Sequence, residues 1–114
     1  MQINRTDLGD SVTRLKLVGK LDIAGSAVVE IPIALAAKDC RSLIVDMSDV
    51  SFVASLGVRH LVMAAKALQR RGGKLVLFAV DEPVAQVLET MGITDLIPMA
   101  PSETAALDLA GTPA

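Results

Sequence analysis

A chain of 114 residues fits one domain, 1–114, and leaves no room for a second. Hydrophobic residues make up 52% of it, which excludes disorder, while aromatics make up only 2%, so the core must come from Leu, Ile, Val, Ala and Met. A net charge of −2, with neither Trp nor Tyr to stack on bases, excludes a nucleic-acid surface, which needs a clustered basic face.

The N-terminus, Met1-Gln2-Ile3-Asn4-Arg5-Thr6-Asp7, has no apolar signal core, and no apolar run is long enough to span a bilayer. The single Cys40 has no internal disulfide partner and reads as a small buried or half-buried residue in a reducing compartment. These features predict a soluble cytoplasmic protein without a membrane partner.

In chain order, residues 2–8 are a weak strand candidate, and Leu8-Gly9-Asp10-Ser11 is turn chemistry. Val12–Val18 alternates apolar and polar residues, predicting a half-buried strand that forms a hairpin with the first and ends at Gly19-Lys20-Leu21-Asp22. Residues 25–38 read as a helix in which Pro32 removes one hydrogen bond, so the helix starts later or bends there. Arg41–Met47 is a near-continuous apolar run, the mark of a central strand buried on both faces.

The stretch Val50–Val58 then turns from strand to helix, with Ser55 placed at the helix start. The helix runs from Val58 to about Arg71 and buries Val58, Leu61, Val62, Ala65 and Leu68. Arg71-Gly72-Gly73 stops it. Lys74–Val80 is a strand, and Asp81-Glu82-Pro83 opens a third helix that reaches Met91 and ends at Gly92. A short last strand falls in Ile93–Pro98, around Leu96-Ile97. A final helix covers Ser102–Leu109, and residues 111–114 form a tail beyond an ordered core of about 2–110. The alternation predicts an α/β fold: a mixed sheet of four to five strands flanked by about four helices, parallel except for the leading hairpin.

Catalytic chemistry is poorly supplied. The only histidine, His60, lies five residues after Ser55 on the same predicted helix, on another face, which is poor geometry for a nucleophile and its base. It reads as a surface residue. One Cys and one His fall short of a metal set, and no cofactor is implied. Asp46 and Asp49 fit turn and capping roles. Gly72-Gly73 runs from helix to strand, the wrong order for a phosphate loop.

Ser55 remains. At a helix start its hydroxyl caps an unpaired N–H of the first turn. The same place suits a phosphate, which would meet those N–H groups and the positive end of the helix dipole.

Three segments carry a family resemblance: Gly19-Lys20-Leu21-Asp22; Asp49–Val58; and Gly72–Leu77 followed by Val87–Ile97. In this order the chain resembles a STAS domain over about residues 2–110, and among those the bacterial anti-sigma factor antagonists. The second segment resembles the family's phosphorylation segment, an apolar stretch followed by Asp-Ser-Ser/Thr-Gly-Leu, in which the serine after the Asp accepts phosphate. That serine maps onto Ser55.

The resemblance implies a partner switch rather than an enzyme. The unphosphorylated antagonist binds an anti-sigma factor that is also a serine kinase; phosphorylation of Ser55 releases it, and a PP2C-type phosphatase resets it. Around Ser55 itself, Val53, Ala54, Leu56, Gly57 and Arg59 are candidate partner contacts, and Asp22 and Ser26 join them because loops at the same end of a parallel sheet lie together. Ala54 departs from the family's Asp, Leu56 from its second Ser/Thr, and Arg59 from a common Gly. These departures keep open a scaffold or sensor module that ignores phosphorylation; a small hydrolase using Ser55 is the alternative from another class.

Overall fold

A computed structural model describes residues 1–111. Its elements are β1 (Gln2–Gly9), β2 (Val12–Leu21), α1 (Ile23–Asp39), β3 (Ser42–Val53), α2 (Ser55–Arg70), β4 (Leu75–Phe78), α3 (Glu82–Thr90), β5 (Met99–Ala100) and α4 (Glu103–Ala110). The sheet order is β1-β2-β3-β4-β5. β1 pairs with β2 antiparallel, and every later pairing is parallel. This is the mixed α/β sheet expected from the alternation of strands and helices.

The hairpin turn explains itself chemically. Asp10 and Ser11 sit at φ 53° and 61°, the left-handed pair that a tight two-residue turn requires, and Asp tolerates that region better than most residues. β3 lies in the middle of the sheet and is buried on both faces. Its Leu43, Val45 and Met47 enter the larger core with residues of α1, α2 and α3, while Ile44 enters a smaller core with Val76, Phe78 and α4 residues Ala106 and Ala110. Cys40 is buried beside the larger core, and burial pushes its thiol above the ordinary value.

Several boundaries differ from the sequence expectation; β4 is Leu75–Phe78 rather than Lys74–Val80, because the backbone leaves the strand at Ala79 with φ 56°. β3 does not stop at Met47 but continues to Val53. Two residues of β2 span three of β3 between the pairs Lys16↔Asp46 and Val18↔Asp49, and a second shift separates Gly19↔Val50 from Lys20↔Phe52. Each irregularity changes the phase of the strand, so the buried residues fall at Met47, Val50 and Val53, a spacing that hides a strand from a period-two reading.

The last strand is Met99–Ala100, not a segment around Leu96-Ile97. The N–H groups of Leu96 and Ile97 instead donate to the Ile93 carbonyl at 3.0 and 2.8 Å, a single helical turn that drops Ile97 into the core. α1 begins at Ile23, earlier than expected, and runs through Pro32 unbroken. Of the expected tail, Gly111 is a turn closing α4, and 112–114 lie outside the described residues.

The end of α2 follows its sequence. Gly72 takes φ 81°, the N–H of Gly72 donates to the Gln69 carbonyl at 3.1 Å, and the N–H of Gly73 to the Leu68 carbonyl at 2.9 Å. This is the two-bond helix stop that glycine makes possible.

Candidate functional site

Two strand-to-helix junctions meet at one end of the sheet: β2 to α1 through Asp22, and β3 to α2 through Ala54. In the first, Asp22 caps α1. Its Oδ1 accepts from the Gly25 N–H at 2.8 Å, and its carbonyl accepts from the Ser26 N–H at 2.8 Å and the Ser26 hydroxyl at 2.7 Å. In the second, the Ala54 N–H donates to the Leu21 carbonyl at 2.9 Å, tying the two junctions together.

Gly57 completes the joint. A Cβ on Gly57 would lie 2.4 Å from Leu21 Cγ, 3.0 Å from the Leu21 carbonyl oxygen and 3.0 Å from Ser26 Oγ. Only the missing side chain lets the first turn of α2 lie on the end of β2.

Ser55 is exposed and is the first residue of α2, not its cap. The cap position belongs to Ala54, whose backbone is extended (φ −121°, ψ 159°) and whose side chain makes no capping bond. The anchor from Ala54 to Leu21 fixes this boundary one residue earlier than a serine-cap reading places it. The hydroxyl is thus left outside the helix's own hydrogen bonding at the cap. The first-turn N–H groups, which have no intrahelical acceptor, face the helix's N-terminal end without a side-chain cap.

The expected site residues separate into two layers. Ser55, Leu56 and Arg59 are exposed, and Ala54 and Asp22 are half-buried. Ser26, Val53 and Gly57 are buried beneath them. Ser55 and Arg59 lie one helical turn apart, on neighbouring positions of one face.

Sequence reasoning missed the apolar rim of this end. Ile23 is 75% exposed at the start of α1, and Phe52 is 48% exposed near the end of β3. A signal existed: α1 carries apolar residues on all sides, more than one buried face can use.

Asp46 and Asp49 make local bonds. Asp46 Oδ1 accepts from the Ser48 N–H at 2.9 Å inside the first irregularity of β3, and Asp49 pairs with Lys16 at 3.2 Å. His60 is half-buried rather than fully on the surface and lines the groove between α1 and α2. Among the described residues no three His, Cys, Asp or Glu side chains cluster as metal ligands, and no helix is long and apolar enough to cross a membrane.

The STAS domain family profile matches residues 5–106. The chain belongs to the STAS domain family. BtrV of Bordetella bronchiseptica, provisionally named an anti-sigma factor antagonist, is 30% identical over 91 residues, covering 79% of this chain and 78% of BtrV. The anti-sigma F factor antagonist of Paenibacillus polymyxa is 24% identical over 95 residues, covering 82% of this chain and 81% of its own. Among solved structures, the anti-sigma factor antagonist SpoIIAA in its unphosphorylated form superposes with a TM-score of 0.80 at 20% identity, covering 95% of both chains. SpoIIAA from Bacillus in its phosphorylated form gives a TM-score of 0.72 at 19% identity, covering 95% of this chain and 98% of that one. At these identities the structural likeness speaks for the STAS fold alone.

Proposed function

We propose that this protein is an anti-sigma factor antagonist, a non-enzymatic binding module switched at Ser55. Its partner is an anti-sigma factor with serine kinase activity, and a PP2C-type phosphatase resets the switch. The observation that carries the reading is the exposed Ser55 hydroxyl on the first residue of α2, beside a first turn that no side chain caps. The names of the STAS relatives support the role of antagonist.

The chemistry asks little of this chain. Ser55 Oγ attacks the γ-phosphorus of ATP held by the kinase. An Oγ–P bond forms, the bond from phosphorus to the ADP oxygen breaks, and the hydroxyl proton passes to a base on the kinase. Because Ala54 departs from the Asp of the phosphorylation motif that this segment resembles, no carboxylate of that residue repels the incoming phosphate.

The consequence is asymmetric. A phosphoserine adds about −1.5 to −2 charge at neutral pH. At a helix N-terminus such a charge is worth about 0.3–1 kcal/mol in favour of the fold. Under a docked partner the same charge must be desolvated, and disrupting a buried polar contact costs about 2–5 kcal/mol, roughly 30-fold to several thousand-fold in affinity. Binding therefore responds and folding does not. In this reading Ser55, Leu56, Arg59, Ala54 and Asp22 meet the partner, and Ser26, Val53 and Gly57 hold them in place from below.

The site assignment is tested by incubating the protein with ATP and a serine-kinase anti-sigma factor of the same genome. Intact-mass measurement should show one added phosphate on the wild type and none on Ser55→Ala. Equal labelling of Ser55→Ala would place the acceptor elsewhere. Partner binding that survives Ser55 phosphorylation would instead favour the scaffold reading that Ala54 and Leu56 keep open.

A further inference from the structure

Burial does not exhaust the apolar surface of α1. Ile23, Ile31 and Leu35 are 75%, 67% and 52% exposed, and Met63 on α2 is 57% exposed. A helix apolar on all sides is ordinarily covered on all sides. Between α1 and α2 lies a groove of about 820 Å³. Its apolar lining includes Ile23, Ala27 and Ala34 from α1 and Leu56, Met63 and Ala67 from α2.

Charge along this groove is one-sided. Lys38, Arg59, Arg70 and Arg71 line it, against a single acid, Glu30, on a chain whose net charge is −2. Arg71 is fixed there: its guanidinium donates to the carbonyl oxygens of Ala37 and Cys40, the latter at 2.9 Å.

We propose that this groove docks an amphipathic α-helix of a protein partner, apolar along one stripe and acidic along its flanks. The trough between two helices has the shape that takes a third, by ridges packing into grooves at an interaxial distance of about 8–10 Å. The small side chains of Ala27, Ala34 and Ala67 let that helix approach closely. α2 spans 16 residues, so the trough runs about 24 Å, room for roughly four turns. Charge complementarity selects an acidic occupant and disfavours a second copy of this chain, whose own cations would face these. The concave shape disfavours a flat lipid surface.

The groove and the Ser55 surface share Leu56 and Arg59, so the docked helix would continue the contact proposed above. The inference itself uses the unmodified chain and stands without phosphorylation.

The test uses the full chain and two fluorescent helical peptides of about 18 residues, with one leucine stripe in common and either Glu or Lys along its flanks. Anisotropy should show the Glu peptide binding at least about tenfold more tightly than the Lys peptide, as several partly exposed ion pairs together provide. Raising salt from about 0.05 to 0.5 M should narrow that gap. Met63→Asp and Ile23→Asp each alter an exposed position and should weaken binding by about tenfold or more with the fold intact by circular dichroism. Arg59→Glu should weaken the Glu peptide and strengthen the Lys peptide, while Gln86→Ala, exposed on α3 and outside the groove lining, should bind as the wild type does. Equal binding of the two peptides, binding of neither, or full binding by Met63→Asp would overturn the proposal. So would Met63-dependent self-association in place of peptide binding, or Met63-dependent binding to phosphatidylglycerol vesicles in its place.

Discussion

The backbone N–H of Ala54 reaches the carbonyl of Leu21 at 2.9 Å, and this one bond joins the two loops on which the function proposed here depends. It ends the β2–β3 ladder, sets the first residue of α2 at Ser55, and leaves that hydroxyl exposed. The packing of Gly57 against Leu21 and Ser26 holds the same joint from the helix side.

Gly57→Ala tests that joint. The added methyl would meet Leu21 Cγ at 2.4 Å, inside any real contact distance, and Leu21 is fully buried. Overpacking of this kind costs about 1–3 kcal/mol, partly offset by the roughly 1 kcal/mol better helix propensity of Ala. The urea midpoint should fall at an unchanged slope. A midpoint at or above wild type would show that the close approach is not needed.

Asp22 has a capping role separable from partner contact. Asp22→Ala removes the acceptor of the Gly25 N–H and should cost about 1 kcal/mol, within a range of about 0.5–2. Asp22→Asn keeps the cap and should stay near wild type in stability. If Asp22→Asn keeps its stability but loses partner affinity, the carboxylate itself touches the partner; if both properties survive, Asp22 acts through the cap alone.

The hairpin supplies a pH prediction. The Asp7 carboxyl is held below its ordinary value of 3.8, first by the hydrogen bond from Arg5 and then by that from Thr13. A lowered native value means that any stabilisation is present above the unfolded value and is lost as pH falls through the native one. A side-chain NMR titration should place the Asp7 midpoint below 3.8 in the wild type and shift it upward in Arg5→Ala. An unchanged midpoint in the variant would remove Arg5 as the cause.

Much of this architecture could be read from residue order, and the misses share a cause. The hairpin, the buried central strand and the glycine stop of α2 rest on local chemistry that repeats over several residues. The second half of β3 was hidden because two register shifts broke its alternation. The serine-cap expectation for Ser55 failed because the boundary is set by a long-range bond, Ala54 to Leu21, which no local pattern encodes. The short β5 was misplaced because Ile93–Ile97 has strand-like residues that close instead into a helical turn after Gly92 at φ 73°. At the candidate site, Ser55 and its neighbours were legible as a motif. The buried supporting roles of Ser26, Val53 and Gly57 were not, since burial at a junction depends on elements distant in sequence.

The most direct measurement compares partner binding and folding in one preparation. Calorimetric titration of the proposed partner, a serine-kinase anti-sigma factor of the same genome, with the protein, unmodified and stoichiometrically phosphorylated at Ser55, should show affinity falling by at least about 30-fold. The thermal midpoint of the phosphorylated protein alone should move by only a few degrees, as expected for about 1 kcal/mol or less. Equal affinity of the two forms, or loss of binding only because the phosphorylated protein has unfolded, would contradict the account.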